Sequence, residues 1–273
     1  MHIVAAIQMN SSADVEVNLN KAEGLIKQAA AQRAKLVVLP ENFAFMGADA
    51  NAQLAIAESF GDGPLQTFLS EQAKKHKVWL VGGTIPIKAE EPARVYSSSL
   101  LFNEQGELVA RYNKLHLFDV TLVESNESYR ESDYICPGDS VCVVDTPVGK
   151  VGMAVCYDLR FPELFRKMHE QNVEVIVLPS AFTETTGRAH WQILLRARAV
   201  ENLSYIVAPD QAGTHASGRR TWGHSMILDP WGNVQRCLTS GVGVAFGEVD
   251  PYRQKSLRDS FPSIEHRRIK CEL

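Results

Sequence analysis

KVGMAVCYDLRFPEL, Lys150–Leu164, ends an apolar run in a cysteine and then adds Asp158, Arg160, Pro162 and Glu163. The run through VGMAV predicts a strand with Cys156 at its carboxyl end. Pro162 suits the first turn of a helix, where a missing N–H costs nothing. Strand, turn and helix in that order are the unit of layered α/β folds. Cys156 has two readings at this stage. A free cysteine is usually a small buried hydrophobe, and the end of a strand is also where a nucleophile would be displayed.

The same unit recurs outward from this stretch. HIVAAIQM reads as a strand, and NLNKAEGLIKQAAAQRA puts Leu19, Ala22, Leu25, Ile26 and Ala29 on one helical face. KLVVLPE is a buried strand, PLQTFLSEQAKKHKV a helix opened by proline, and WLVGGTIPI one further buried strand. VYSSSLLFNEQGELVARYNK predicts a hairpin turning at Asn103–Gly106. Thr121 to Gly138 is polar and predicts neither strand nor helix, and loops of that length are usually functional or disordered. VCVVDTPVGKVGMAVC gives two strands around a Pro–Gly turn, EVIVLPS a strand, RAHWQILLRARAVENL one long amphipathic helix, and SYIVAPDQAG another strand. HSMILDPWGNVQRCL is a hairpin, and GVGVAFGEVD closes the sheet. Without linker, repeat or low-complexity segment, residues 1–273 read as one α/β domain of mixed sheets covered by helices.

Composition removes several function classes. Hydrophobic residues make up 45% and charged residues 22% of 273, and the formal net charge is −4. That balance favours neither nucleic acid nor an anionic membrane as partner. MHIVAAIQMN reads as a first strand and not as a signal peptide, and no apolar run is long enough to span a bilayer. Cys136, Cys142, Cys156, Cys237 and Cys271 are odd in number and form no CxxC pair, so neither a disulfide framework nor a structural zinc site is expected. Reduced thiols fit the cytoplasm.

Three reactive side chains each follow an apolar run: Glu41 after LVVLP, Lys114 after ELVARYN, and Cys156. Glu41 or Lys114 alone reads as a solvated surface residue. Together they form a chemistry. A thiol holds little thiolate at neutral pH, a shielded carboxylate can take its proton, and an ammonium can stabilise an oxyanion.

LPENF, YNKLHLFD and VCYDLRFPEL, in that order, resemble the nitrilase (carbon–nitrogen hydrolase) superfamily. RESDY, LPSAF, TTGRAHWQILLRARAVEN, GHSMILDPWG and EHRR resemble its branch of amidases acting on deaminated glutathione. The resemblance implies a four-layer α-β-β-α sandwich with mixed sheets, and a homodimer or higher homo-oligomer. It implies Glu41 as base, Lys114 and the Tyr157 N–H at the oxyanion, Cys156 as nucleophile and Glu131 as a second glutamate holding Lys114. The reaction implied is hydrolysis of a small carboxylate-bearing amide through a thioester, releasing ammonia and an acid, with no metal or cofactor. Phe182 and Thr186 would line the pocket. Arg160 would read a substrate carboxylate or pair with Glu163, and Arg219 and Arg220 either read a second carboxylate or stay solvated. His190 and Trp191 would buttress the site, and His116 would pack nearby. ω-Amidase, N-carbamoyl hydrolase and aliphatic amidase remain alternatives within the superfamily. Outside that chemistry stand a Cys156–His190 hydrolase and an inactive binding protein. Asn42 departs from the small residue common at its position.

Overall fold

The computed structural model describes residues 1–48, 50–123 and 127–269. Its helices are α1 (Val15–Ala31), α2 (Pro64–His76), α3 (Pro162–Glu170), α4 (Glu184–Thr186), α5 (Gln192–Asn202) and α6 (Pro251–Ser260). One sheet has seven strands, in the order Gly243–Val249, His2–Gln8, Leu36–Val38, Trp79–Val81, Val95–Phe102 and Ile85–Lys88, with Leu108–Asn113 also on Val95–Phe102. The other has six, in the order Val234–Leu238, Ser225–Leu228, Tyr205–Ala208, Val175–Val177, Gly149–Met153 and Cys142–Thr146. Each has three parallel strands at its centre and antiparallel strands beside them.

Alternation along the strands makes the layers. Val4, Ala6, Leu36 and Val38 point into a core shared with Val151, Met153, Val175 and Val177 of the other sheet. Their neighbours Ala5, Ile7, Val37 and Leu39 point the other way, onto Ala22, Ile26 and Ala29 of α1 and Leu65, Leu69 and Ala73 of α2. On the second sheet Gly152 admits the Met168 side chain of α3, a contact that a Cβ would close at 2.8 Å from sulfur. The sheets approach tightly at Gly247, where a Cβ would sit 2.5 Å from Ile227 Cγ2. The expected α-β-β-α sandwich is therefore the observed architecture. Among the described residues no helix is long and apolar enough to cross a membrane.

Four elements differ from the sequence reading. WLVGGTIPI is two strands, Trp79–Val81 and Ile85–Lys88, because Gly83 turns the chain in the left-handed region (φ +55°) between them. Thr121–Gly138 is not structureless: Asp119–Leu122 and Glu127–Arg130 pair antiparallel, and Glu131–Asp133 forms a 3₁₀ turn. Neither strand of that hairpin buries a face, so the apolar alternation that signals a strand is missing. The long helix near Trp191 begins earlier, at α4, and passes through a π turn at Gly187–Trp191 before α5. Helix α6 carries no apolar period in the sequence, since only Gln254 of its ten residues is buried. Cys271 lies outside the described residues.

Gly83 also supports the strand end that carries Glu41. A Cβ there would lie 2.0 Å from the Pro40 carbonyl oxygen, a backbone atom with no freedom to yield. Gly83→Ala therefore combines a left-handed backbone with a collision, and the expected loss is about 2–3 kcal/mol in chemical denaturation. A loss below about 0.5 kcal/mol, the scale of a neutral surface change, would show that this contact relaxes freely.

Candidate active site

The carboxyl ends of the central strands open onto a cleft of about 700 Å³. Glu41, Lys114, Glu131, Cys156, Tyr157, Arg160, Phe182 and Thr186 all line it. The structure thus brings together the residues that the sequence assigns to catalysis, the oxyanion and the pocket wall.

Lys114 is the centre of the cluster. Its side chain is 2% exposed. Nζ donates to Glu41 Oε1 at 2.9 Å and to both Glu131 oxygens at 2.9 Å. Burial by itself would lower the Lys114 pKa, but Glu131 and Glu41 outweigh it and hold the ammonium well above its usual range. Glu131 is pushed up, first by burial and then by the nearby Glu41 charge, against the pull of Lys114. The Phe118 N–H donates to Glu131 Oε2 at 2.6 Å. The hairpin absent from the sequence reading is what carries Glu131 here.

Cys156 sits in the left-handed region (φ +46°), an uncommon conformation for a residue with a Cβ. Its N–H donates to the Pro179 carbonyl at 2.9 Å. Burial pushes the thiol well up, and the nearby Glu41 carboxylate pushes it further. Lys114 and the Ala181 backbone pull in the opposite direction. Cys156 is therefore stored as a thiol facing a carboxylate.

Asp158 locks this turn. Its Oδ2 accepts from the Val155 N–H at 2.8 Å and the Tyr112 hydroxyl at 2.7 Å. Its Oδ1 accepts from the His116 N–H at 3.0 Å and lies 2.7 Å from His116 Nδ1. His116 stacks on Phe161 at 3.7 Å between centroids, the packing role expected of it. The acid of CYDLR thus ties the Lys114 strand to the Cys156 turn.

The cleft walls follow from similar contacts. Phe182 packs on the buried Trp191 at 4.8 Å, and its N–H donates to Asp210 Oδ1 at 2.9 Å. Burial raises Asp210 well above the usual carboxylate range. Thr183 and Thr186 share a hydroxyl contact at 2.8 Å. Tyr157 packs edge-on against Phe118 and Phe161. Asn42 occupies the left-handed region (φ +56°), which asparagine tolerates, and its Oδ1 accepts from Gln53 Nε2 at 2.8 Å.

Arg160 does not pair with Glu163. It faces His190 Nδ1 at 3.2 Å and lies over the Tyr157 and Phe182 rings. His190 is exposed and outside the cleft, yet it supports the lining residue Arg160 as the buried Trp191 supports Phe182. Arg220 is exposed and paired with Glu184 at 2.9 Å, whereas Arg219 enters the cleft. Sequence reasoning missed Asp158, Asp210, Tyr129 and Tyr134. Tyr134 is pushed up to about 12, by burial first and then by Glu131. Among the described residues no group of His, Cys, Asp or Glu is arranged to hold a metal ion.

A two-sheet sandwich with a Glu, Lys and Cys cluster at its strand ends defines a class, and comparison with known proteins agrees. The family model for carbon-nitrogen hydrolases matches residues 3–259, and the chain belongs to that family. It is 44% identical over 271 residues to a deaminated glutathione amidase of Yersinia enterocolitica, covering 99% of this chain and 94% of the relative. The deaminated glutathione amidase of Rattus norvegicus is 37% identical over 270 residues, covering 97% of this chain and 82% of that one. Among solved structures, Saccharomyces cerevisiae Nit3, a member of branch 10 of the nitrilase superfamily, superposes with a TM-score of 0.88 at 34% identity, covering 98% and 97% of the two chains.

The charges around Cys156 make a titration prediction. The 240 nm difference between the protein and its Cys156→Ala variant should show no thiolate at about pH 8.5, where a free thiol is half ionised. Glu41→Gln removes a neighbouring negative charge and should move thiolate onset to lower pH. Lys114→Met should move it higher. A thiolate signal from Cys156 at neutral pH in the unaltered protein would contradict the geometry.

Proposed function

We propose that this chain, acting as one catalytic domain over residues 1–273, is an amidase that hydrolyses deaminated glutathione through a thioester on Cys156. One observation carries the chemistry: a buried thiol, carboxylate and ammonium meet at one cleft, with Glu41 bonded to Lys114 and its charge acting on the thiol. The substrate is carried by the two amidases of that name, each similar over nearly the whole chain.

Each step uses one of these groups. Glu41 takes the thiol proton as Sγ attacks the amide carbonyl carbon, and the carbonyl electron pair becomes an oxyanion. Lys114 and the Tyr157 N–H stabilise that oxyanion. As the C–N bond breaks, Glu41 hands its proton to the leaving nitrogen, and the acyl group stays on sulfur. A water that gives its proton to Glu41 attacks the thioester. Collapse of the second tetrahedral species releases the carboxylic acid, and the thiol recovers a proton from Glu41. Glu131 stays on Lys114 throughout and fixes its Nζ. Both amides of glutathione are secondary, so a deaminated glutathione yields an amine as its second product. Ammonia is released only from primary amides.

Arg160, with no carboxylate partner among the described residues, is placed to read one substrate carboxylate through its planar fork. Phe182 and Thr186 shape the adjoining wall. The Cys–His alternative loses its base, because His190 is outside the cleft. A cytoplasmic setting accords with the four described cysteines, all free.

We also infer a homodimer formed through the outer face of α5. Ile193 is 67% exposed there and Val200 44%, beside Trp231 at 51% and Phe261 at 48%. Trp231 and Phe261 meet edge to face at 5.5 Å, and Arg196 fixes the adjoining turn through the Gly232 carbonyl at 2.9 Å. Such a patch suits burial against a second copy.

Four measurements test these readings. Incubation with deaminated glutathione should yield an acid and an amine by chromatography, and Cys156→Ala should abolish both while keeping the fold. Glu41→Gln and Lys114→Ala should each lower kcat/KM by roughly 10²-fold or more. Intact-mass analysis should find any trapped acyl group on Cys156, and an adduct elsewhere would refute the assignment. Sedimentation should give a dimer that Val200→Asp converts to monomer. A monomeric parent protein would remove the dimer proposal and leave the chemistry untouched.

A further inference from the structure

The proposed reaction leaves two cations of the cleft without a role, the exposed Arg130 and Arg219. We propose that Arg219 is a second anion-reading group, distinct from Arg160, so that the cleft selects amides bearing a carboxylate at both ends. This rests on the amidase reading above.

The observations begin with the GRR pair, whose two members part company. Arg220 opens the strand Arg220–Trp222 and turns outward onto Glu184. Arg219, just before it, turns into the cleft over the Tyr129 ring, with its guanidinium carbon 5.1 Å from the centroid. Its Nη2 donates to the Ala181 carbonyl. Its Nε is buried and has no hydrogen-bond partner. Among the described residues no carboxylate forms an ion pair with Arg219, whereas its neighbour Arg220 has one.

A buried, charged donor without an acceptor is costly unless something completes it. Arg219 is also held in place before any ligand arrives. The hairpin Ala212–Thr214 with Arg220–Trp222 frames its loop. His215, buried at the base, spans Ser11 and the hairpin, with Nδ1 2.9 Å from the Ser11 carbonyl and Nε2 2.7 Å from Thr221 Oγ1. One edge of the guanidinium is used to fix Ala181, while the side chain as a whole lines the cleft. Arg160 lies over other rings, those of Tyr157 and Phe182. Two fixed guanidinium groups in one cleft of about 700 Å³ suit a tripeptide-sized dianion better than a small neutral amide.

The competing role is structural: Arg219 would only brace Ala181. The two roles separate with three compounds: deaminated glutathione, its C-terminal glycinamide, and the analogue whose keto-acid end is replaced by a butanoyl group. The parent protein should prefer the dianion over each singly neutralised compound by roughly tenfold or more in kcat/KM, as for a charged hydrogen bond. Arg219→Met should abolish the preference at one end only, and Arg160→Met at the other. Equal losses on all three compounds in Arg219→Met would overturn the proposal and make the residue a brace. Titration of Cys156→Ala with the same compounds reads binding apart from turnover. Weaker binding of the dianion by about tenfold in Cys156→Ala/Arg219→Met supports the site even if none of the compounds is hydrolysed, an outcome that would remove the substrate reading alone. Equal binding of all three compounds by Cys156→Ala overturns it.

Discussion

One buried ammonium organises this molecule. Removing Lys114 from water is expensive, several kcal/mol after relaxation, and only close pairing offsets that cost. Nζ has three donors, and Glu41 and Glu131 supply three oxygens at 2.9 Å. The need to bring a second carboxylate to Nζ explains the excursion of the chain between Lys114 and Glu131. It leaves the first sheet, forms an exposed hairpin with little core of its own, and returns so that the Phe118 N–H can close on Glu131. Stability there is lent by the charge cluster more than by apolar burial.

The thiol depends on the same arrangement from the other side. A left-handed cysteine is strained by an amount of order 1–3 kcal/mol and persists only where its surroundings over-determine it. Here the Pro179 carbonyl and the Asp158 hub do so. Asp158 joins two elements remote in sequence, since Tyr112 and His116 flank Lys114 while Val155 precedes Cys156. Nucleophile and ammonium are therefore positioned by one carboxylate that touches neither.

Much of this was legible before folding was considered. LVVLP, ELVARYN and VGMAV each advertise a strand, and the reactive residue follows each one, because buried strands need apolar side chains and their ends are where clefts form. The family resemblance supplied the sandwich, Glu131 and the cleft walls. What stayed hidden has a common cause. The hairpin carrying Glu131, the exposed helix α6 and the inward turn of Arg219 rest on contacts between distant segments and leave no apolar period. Two adjacent arginines look alike in a string of letters. Only the pairing of Arg220 with Glu184 and of Arg219 with Ala181 tells them apart.

The close approach of the sheets at Gly247 and Ile227 has a further meaning. Glu41 and Lys114 hang from the seven-stranded sheet, and Cys156 hangs from the six-stranded one. The thickness of the apolar layer between them is thus a gauge for the gap between sulfur and carboxylate. Reactive atoms displaced by about 1 Å lose roughly a hundredfold in rate. Methyl groups deep in the sandwich, such as those of Ile227, Val4 and Val175, set that gauge without ever meeting a substrate. Adaptation of such an enzyme to a new temperature can proceed by repacking this layer, leaving every residue of the cleft unchanged.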